Sequence, residues 1–438
     1  MQTHFSLAQL ADPDVAHSQE IIRACVHCGF CTATCPTYVT LGNELDSPRG
    51  RIYLIKDMLE EGRPADAETV THIDRCLSCL SCMTTCPSGV NYMHLVDHAR
   101  AHIERTYRRP LPDRIVRALL ARILPYPARF RAALRLAQLA RPLAPLFDKA
   151  GPLRPLAAML RLAPSSIPPA GGQAAAQPAA GQARARVALL GGCAQSVLDP
   201  GINAATVRLL ARLGVEVVSA PGEGCCGSLT HHMGREAEAL ASARRNVDAW
   251  MREIDGAGLD AIIVTTSGCG TTIKDYGHML REDPAYAGPA ARVAGLTRDV
   301  TEFLATLDLP TPDAPASGVV AYHSACSMQH GQKVVNQPKA LLARAGFTVR
   351  DIPEGHLCCG SAGTYNMLQP EISGMLKARK LRNIESVAPD IIATGNIGCM
   401  TQIGSGTGIP ILHTVELLDW AYGGERPAVL GPARVAAE

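Results

Sequence analysis

The stretch "RACVHCGFCTATCPTY", residues 23–38, places four cysteines within eleven positions and follows the last one with a proline. A second stretch, "RCLSCLSCMTTCPSG", residues 75–89, repeats this arrangement. Both read C-x-x-C-x-x-C-x-x-x-C-P, and together they contribute Cys25, Cys28, Cys31, Cys35, Cys76, Cys79, Cys82 and Cys86. Two copies of so specific a spacing indicate that all eight thiols belong to the same kind of site.

The composition indicates the cellular compartment of the protein and the role of its thiols. The chain has 438 residues, enough for several domains, with 47% hydrophobic and 19% charged residues. Its sixteen cysteines are bunched rather than spread out as disulfide staples. The first residues lack the features of a signal peptide, and no apolar run reaches the length of a membrane span. We expect a cytoplasmic protein whose thiolates bind metal.

The repeated run is the one by which bacterial ferredoxins bind two [4Fe-4S] clusters. Three close cysteines bind one cluster, and the fourth crosses to the other. The first cluster is therefore assigned to Cys25, Cys28, Cys31 and Cys86, and the second to Cys76, Cys79, Cys82 and Cys35. The proline after each crossing cysteine favours an extended exit from the loop. Structural zinc sites are the alternative, but they pair two separated C-x-x-C knuckles and do not need a third close cysteine.

Two segments between the motifs read as helices. "SPRGRIYLIKDMLEEG", residues 47–62, opens with Ser-Pro and spaces its apolar residues helically, and "DAETVTHIDRCL", residues 66–77, leads into the second motif. Residues 1–107 are thus predicted to form an α-helical ferredoxin domain with two [4Fe-4S] clusters. Arg49 and Arg51 either lie close to the negative charge of the clusters or form a solvated helix start.

Residues 108–162 form a basic amphipathic helical segment, with twelve Arg and Lys against two Asp. Such helices could contact an anionic membrane surface or an acidic partner subunit, or could simply connect two domains with their arginines solvated. Nucleic acid is disfavoured, because no binding motif or interleaved aromatic residues accompany the arginines. Residues 163–184, rich in Ala, Pro and Gly, are predicted to be a flexible linker.

The remainder is a tandem repeat, at residues 185–305 and 317–425. Each copy carries one cysteine, a CCG triplet 32 positions later and a last cysteine 43 or 40 positions beyond the pair. Short apolar runs alternate with helical stretches, which predicts α/β domains with parallel sheets. The single cysteines would follow the carboxyl ends of strands, next to helix N-termini that favour thiolates. The eight candidate ligands are Cys193, Cys225, Cys226, Cys269, Cys326, Cys358, Cys359 and Cys399.

Several segments together carry a family resemblance. "ACVHCGFCTATCPTY", "DSPRGRIYLIK", "TTCPSGVNY", the two CCG repeats and "TGNIGCMTQI" resemble the bacterial glycolate oxidase (glycolate dehydrogenase) iron-sulfur subunits over nearly the whole chain. The iron-sulfur subunits of anaerobic glycerol-3-phosphate dehydrogenase and of lactate-oxidising enzymes share this layout. Heterodisulfide reductase shares the CCG repeats.

The resemblance implies a division of labour. FAD-binding subunits on other chains would oxidise glycolate to glyoxylate, and this chain would pass the electrons singly to a quinone or another acceptor. No dinucleotide glycine fingerprint is found here, in agreement with flavin on partner subunits only. The isolated chain is expected to be inactive, with no catalytic residue of its own. The alternatives are a subunit of a related lactate or glycerol-3-phosphate dehydrogenase, or a heterodisulfide reductase-like thiol/disulfide enzyme.

The repeats depart from the heterodisulfide pattern, which ends in C-x-x-C and supplies five thiols. Position 266 is threonine and position 396 is asparagine, so each copy has four. Four thiols could hold a further cluster in each repeat, a zinc ion, or one site shared between repeats; iron-sulfur in at least the second repeat is favoured. His231, His232, His323 and His330 could donate protons to a quinone or serve as hydrogen-bonded scaffold, and His413 is expected to be structural.

Overall fold

A computed structural model describes residues 1–149, 153–169, 177–178, 183–312 and 316–431. Both cysteine motifs lie in a helical layer, and a set of amphipathic helices follows it. The ten helices of these two parts are α1 Pro13–Ala24, α2 Pro36–Leu41, α3 Pro48–Glu60, α4 Ala67–Asp74, α5 Ser81–Thr85, α6 Tyr92–Thr106, α7 Leu111–Ile123, α8 Pro127–Ala140, α9 Ala144–Lys149 and α10 Arg154–Leu162.

Helices α3 and α4 are the two helices expected between the motifs. The Ser47 hydroxyl accepts a hydrogen bond from the backbone N–H of Gly50 and so caps α3, whose first residue is Pro48. The Asp66 carboxylate caps α4 in the same way. The apolar side of α3 is buried against α1, α4 and α6. This packing holds the loops of both motifs on one helical core.

The basic segment forms α7–α10, packed on the rest of the protein through an apolar inner side. Leu120, Phe130 and Leu134 of these helices pack in one apolar cluster with Met233 of the first repeat. Its arginines are not uniformly solvated, because the carboxylate of Asp74 accepts hydrogen bonds from Arg109 and Arg117. Half of the predicted linker lies outside the described residues; of the other half, Gln177 forms an isolated bridge with Val217.

The repeats form two four-stranded parallel sheets, as predicted. Their strands are β1 Ala185–Leu189, β2 Val215–Val218, β3 Ala261–Val264, β4 Thr297–Asp299, β5 Val319–Tyr322, β6 Thr348–Asp351, β7 Ile391–Thr394 and β8 Ile411–His413. The strand orders are β2-β1-β3-β4 and β6-β5-β7-β8. In the first sheet the chain passes from β1 to β2 on one side and from β3 to β4 on the other, and the second sheet repeats this with β5 to β8. The crevice at the carboxyl ends of β1 and β3, and that at the ends of β5 and β7, is therefore a topological switch point, where such sheets bind ligands.

Helices flank both sheets. They are α11 Gln195–Leu198, α12 Gly201–Arg212, α13 Ser228–His232, α14 Glu236–Asp255, α15 Ser267–Lys274, α16 Tyr276–Met279, α17 Ala287–Leu296, α18 Val300–Leu304, α19 Gln337–Arg344, α20 Tyr365–Leu368, α21 Pro370–Glu385, α22 Ile397–Gly404 and α23 Thr414–Ala421. One apolar core contains residues of both sheets. The repeats also meet at their carboxyl ends, where Ser267 Oγ lies 2.7 Å from Ser327 Oγ and accepts a 2.9 Å hydrogen bond from Asn396.

The helical layer docks on the second repeat. The Tyr365 hydroxyl donates to the carbonyl of Arg75 at 3.1 Å, and Thr84 Oγ1 lies 2.8 Å from His330 Nδ1. Because Arg75 directly precedes the second cysteine motif and Thr84 lies inside it, this motif lies against the repeat.

Candidate metal centres

The first thiol set combines both motifs. Cys25, Cys28, Cys31 and Cys86 line one cavity, to which Cys82 of the second motif also contributes. The loop after α1 turns back on itself through left-handed residues at His27 and Gly29, with φ of 59° and 87°. Cys86 leaves α5 in an extended conformation before Pro87, and this exit carries its thiol to the first motif. Cys86 therefore lies on the same cavity wall as three cysteines of the first motif, and the assignment of these four to one cluster remains a prediction.

The second thiol set contains the other crossing cysteine. Cys35 and the three thiols of the second motif are so close that their charges act on one another. Burial raises the pKa of Cys82 well above its ordinary value, and the thiols of Cys79, Cys76 and Cys35 raise it further. The Tyr92 hydroxyl donates to Cys76 Sγ at 3.7 Å. Thiols crowded together in this way favour a bound cation that lets them ionise.

Arg51 stands at the edge of this second set. Its side chain is 1% exposed, and its Nη1 lies 3.9 Å from Cys35 Sγ. Its Nε donates to the carbonyl of His72, and Nη2 donates to Thr37 Oγ1. Arg51 therefore fits the first of the two interpretations of the helix start, in which the arginine lies close to the thiols. The Arg49 side chain pairs with the exposed Glu44 and lines the cavity of the first thiol set, away from the second.

The first CCG repeat gathers its four cysteines at the switch point of its sheet. Cys193 follows β1, and Cys269 lies in the first turn of α15, after β3. Hydrogen bonds from the thiols of Cys193 and Cys226 lower the pKa of Cys225 to about 3. A thiolate that is stabilised by its neighbours is a ready metal ligand.

The second repeat places Cys326, Cys358, Cys359 and Cys399 in the same way. The thiols of Cys359 and Cys399 are 3.5 Å apart, and the backbone N–H of Gly360 donates to Cys358 Sγ at 3.4 Å. Gly360 has a φ of +89°, and a Cβ there would lie 2.6 Å from the carbonyl oxygen of Ser373. The glycine of the CCG triplet is therefore required for the backbone to approach both the sulfur and α21.

The four histidines that were candidate proton donors lie in different surroundings. His231 Nε2 lies 3.2 Å and His232 Nδ1 3.7 Å from the carboxylate of Asp97, on the helical layer. Burial alone would raise the pKa of Asp97, but the two imidazoles hold it well below its ordinary value. His330 hydrogen-bonds to Thr84, while His323 is buried beside the second repeat's thiols.

His413 occupies the structural position expected for it. It is fully buried, its Nδ1 accepts a hydrogen bond from the backbone of Val415, and its Nε2 lies 2.8 Å from the carbonyl of Thr265. It thereby caps α23 and ties the second repeat to the first. Burial lowers its pKa to about 4.

A single cavity of about 590 Å³ joins these parts. Its walls include Cys76 and Cys79 and all eight cysteines of the repeats. Cys79 packs in one cluster with Cys326 and Cys358. The opposite wall is apolar and is formed by α7, α8 and α10, with Leu134, Leu160 and other aliphatic side chains. The cavity therefore connects the second thiol set, both repeats and the basic segment.

Sequence reasoning missed several residues that the structure places near the thiols or near the candidate histidines. Lys380 is 2% exposed, and burial lowers its pKa, an effect that the charges of the second repeat's thiols only partly offset. Asp97 and Tyr92 lie in ordinary helical surroundings in the sequence, with no motif around them. Their contacts come from elements distant along the chain, so no local pattern could have indicated them.

The donor chemistry fits iron-sulfur clusters. Two sets of four cysteine thiols in the helical layer match the ligand count of a [4Fe-4S] cluster, and bound clusters supply one-electron transfer. The fold and these thiols define an iron-sulfur protein of the electron-transferring class. In agreement, residues 21–90 match the family model of the 4Fe-4S dicluster domain, and residues 187–274 and 320–404 match that of the cysteine-rich domain CCG.

Comparison with known proteins then identifies the family. The chain is 42% identical to the glycolate oxidase iron-sulfur subunit of Escherichia coli (strain K12), over 96% of this chain and 99% of that protein. It is 30% identical to the probable glycolate oxidase iron-sulfur subunit of Bacillus subtilis (strain 168), over 87% and 88%. The chain belongs to the family of glycolate oxidase iron-sulfur subunits.

More distant similarities cover part of the chain or its fold. Lactate utilization protein A of Bacillus licheniformis is 28% identical over 53% of this chain and 99% of that protein. The crystal structure of a hypothetical protein from Helicobacter pylori superposes with a TM-score of 0.54 at 11% identity, covering 96% of this chain and 74% of that one. The last similarity concerns the fold alone.

Proposed function

We propose that this chain relays single electrons from FAD-binding partner subunits, which oxidise glycolate to glyoxylate, to a quinone. The observation that carries this proposal is the shared cavity: thiols of the second motif and of both repeats open onto one space. A relay requires neighbouring redox centres to lie close to one another, as thiols that line one cavity do. Membership of the glycolate oxidase iron-sulfur subunit family supports glycolate as the electron source.

Two [4Fe-4S] clusters in the helical layer would form the first part of the relay. The first would be held by Cys25, Cys28, Cys31 and Cys86, and the second by Cys35, Cys76, Cys79 and Cys82. Cys28 is exposed, whereas Cys79 packs against the second repeat. Electrons would therefore enter at the first set, near the surface, and leave from the second set into the repeats.

The apolar end of the cavity supports a lipid-soluble acceptor. Leu136 and Leu156 line the cavity and are also exposed, so its mouth lies on the outer side of α8 and α10. Pockets of this volume with mainly hydrophobic walls are typical of small-molecule sites. A quinone ring entering there would approach the thiols of the repeats, and its reduction takes up two electrons and two protons.

The same outer surface supports peripheral contact with the inner face of the cytoplasmic membrane. Ten of the nineteen exposed large hydrophobic side chains in the described part of the chain lie between residues 111 and 156. Exposed arginines, such as Arg114, Arg122 and Arg135, lie among them. Apolar side chains bordered by cations suit the surface of an anionic bilayer. None of the described helices has both the length and the apolar character of a membrane span.

Another 2-hydroxy acid is the second candidate for the substrate of the flavin partner. The match to lactate utilization protein A favours lactate, although it covers about half of the chain. The relay assigned to this chain would be the same.

The test is anaerobic reconstitution of the full chain with its FAD-binding partner subunits. Iron and sulfide are measured first: about eight irons correspond to two four-iron clusters alone, and substantially more would place iron in the CCG repeats as well. Glycolate is then added, and the electron paramagnetic resonance (EPR) spectrum is recorded. We expect glycolate-dependent signals from reduced clusters. Normal turnover to quinone with an iron-free chain would contradict the proposal, and lactate in place of glycolate distinguishes the two substrates.

A further inference from the structure

His323 is a buried histidine for which the described residues offer no hydrogen-bond partner. It follows β5 directly, precedes Cys326 by three residues and is 1% exposed. Neither ring nitrogen has a hydrogen-bond partner within the part of the chain that the structure describes. Buried polar atoms are nearly always paired, so each exception requires an explanation.

The other histidines of the second repeat show that this is not a general property of the fold. His413 is also fully buried, and both of its ring nitrogens are paired with backbone groups. The ring nitrogens of His330 lie near Thr84 Oγ1 and the carbonyl of His356, at 2.8 and 3.3 Å. Of these three histidines, only His323 has two buried ring nitrogens without a hydrogen-bond partner among the described residues.

The unpaired imidazole is directed at thiols. A ring nitrogen of His323 and the sulfurs of Cys359 and Cys399 all lie within 4.8 Å of one another. The two sulfurs are 3.5 Å apart. Two thiolates on one tetrahedral metal atom, with metal-sulfur bonds of about 2.3 Å, are separated by roughly 3.8 Å. Cys359 and Cys399 are thus close enough to share one metal atom, with His323 beside them.

We propose that His323 is a fifth ligand of an iron centre in the second repeat, in addition to Cys326, Cys358, Cys359 and Cys399. The inference rests on the proposed function, because it takes the second repeat as part of the iron-sulfur relay. Histidine is an established substitute for cysteine on iron-sulfur clusters.

The first repeat lacks this ligand. Leu190 precedes Cys193 by three residues, as His323 precedes Cys326, and it is buried at the corresponding end of β1. Asn396, which occupies the position of a fifth thiol, is engaged elsewhere: its side chain accepts from the backbone of Gly398 and donates to Ser267. The two repeats therefore differ, with four donors in the first and five in the second.

The nature of the fifth donor has a consequence for the reduction potential. Both repeats supply four thiolates, and a neutral imidazole adds no negative charge to the centre of the second. Imidazole in place of thiolate raises the reduction potential of iron-sulfur centres, so this centre would be more oxidising than the same centre with a fifth thiolate. The second repeat is also the repeat against which Cys79 packs.

The experiment uses the full chain, purified anaerobically, with histidine labelled with ¹⁵N or left unlabelled. Pulsed EPR detects nitrogen bound to a paramagnetic iron centre, and the isotope identifies it as histidine. The variants are His323→Leu, which copies the first repeat, and His323→Cys, which supplies a thiolate. His330→Leu is the matched control, because His330 flanks Cys326 from the other side and is hydrogen-bonded.

We expect a histidine nitrogen coupling in the wild type and in His330→Leu, and its loss in both His323 variants. His323→Leu should lose the iron of the second repeat, whereas His323→Cys should keep it with a lower reduction potential. The signals of the two clusters in the helical layer should stay unchanged, which shows that the variants are folded.

Three results would overturn the proposal: no histidine coupling in the wild type, coupling that persists without His323, or zinc instead of iron in the second repeat. The labelled wild type gives an answer even if a variant fails to fold. Failure of the proposed function would look different, since glycolate would then leave the signals of the helical layer unreduced whatever residue 323 is.

Discussion

The guanidinium of Arg51 lies 3.9 Å from the sulfur of Cys35, and both side chains are buried. Arg51 is held there by the carbonyl of His72 and the hydroxyl of Thr37. A fixed cation near a redox centre favours the more negative, reduced state. The buried carboxylate of Asp46 lies 3.5 Å from Arg51 Nη2 and 3.0 Å from Arg75 Nη1, so two guanidinium groups face one carboxylate and the net charge is positive. A cluster held by the second thiol set would therefore be easier to reduce.

Replacing Arg51 with glutamine should lower the reduction potential of the second cluster. Loss of the buried cation removes a stabilisation of the reduced state, and we expect a shift of at least ~59 mV, which is a tenfold change in a one-electron equilibrium. The measurement is a redox titration followed by EPR. Arg49→Gln serves as the control, because the Arg49 side chain pairs with the exposed Glu44. Equal shifts in the two variants would contradict the assigned role of Arg51.

The crossing of ligands makes a reciprocal prediction. Cys86→Ser should damage the cluster built on the first motif, although Cys86 belongs to the second. Cys35→Ser should damage the cluster built on the second motif. EPR spectra of the two variants, together with their iron content, distinguish the clusters. If each substitution removed only the signal of its own motif, the crossing would be wrong.

Filling the apolar end of the shared cavity should block the acceptor. Ala137 lines the cavity from α8, and we expect Ala137→Trp to weaken binding of a short-chain quinone at least tenfold, because the indole occupies the space. Binding is measured by titration of the full chain. Ala132→Trp, on the exposed side of the same helix, is the matched control and should bind normally. Unchanged binding in Ala137→Trp would place the acceptor elsewhere.

The exposed leucines of the basic segment should carry the membrane contact. Leu139 is 80% exposed, and Leu139→Glu should reduce binding to vesicles containing anionic lipid several-fold, since it puts a negative charge on the apolar side. High salt should weaken the wild-type interaction as well. Vesicle sedimentation measures both effects. Leu7→Glu, at a position 88% exposed outside the segment, should have no effect. A similar loss in both variants would argue against a specific surface.

Acid should destabilise the protein partly through His413. Its folded pKa is about 4, below the ordinary value of 6.5, because burial disfavours the charged ring. The unfolded chain therefore binds more protons between these values. The stability contribution is complete above pH 6.5 and is lost as the pH falls towards 4, by on the order of 2–3 kcal/mol.

The corresponding measurement is the free energy of unfolding as a function of pH. His413→Asn retains a side-chain acceptor to cap α23 but has no titrating ring. It should be less stable at pH 7 and should lose less stability between pH 6.5 and 4 than the wild type. Parallel pH curves for the two proteins would contradict the prediction.

Local sequence patterns predicted the elements of this protein well. The helix over residues 48–60 was predicted because serine and proline start it and its apolar residues recur with helical spacing. The parallel sheets were predicted because short apolar runs alternate with amphipathic helices. The CCG spacing singled out its cysteines because adjacent thiols at a repeated distance have no role in ordinary packing.

The sequence by itself determined which thiols are available for metal, and the ferredoxin pattern indicated how eight of them would be shared. Only the tertiary structure decided that both repeats and the second motif open onto one cavity, that Arg51 is buried beside the second thiol set while Arg49 lines the cavity of the first, and that His323 is directed at two thiols. The physical reason is the range of the interactions. Capping, periodicity and motif spacing act between residues near one another in the chain, whereas these contacts depend on how separate domains pack.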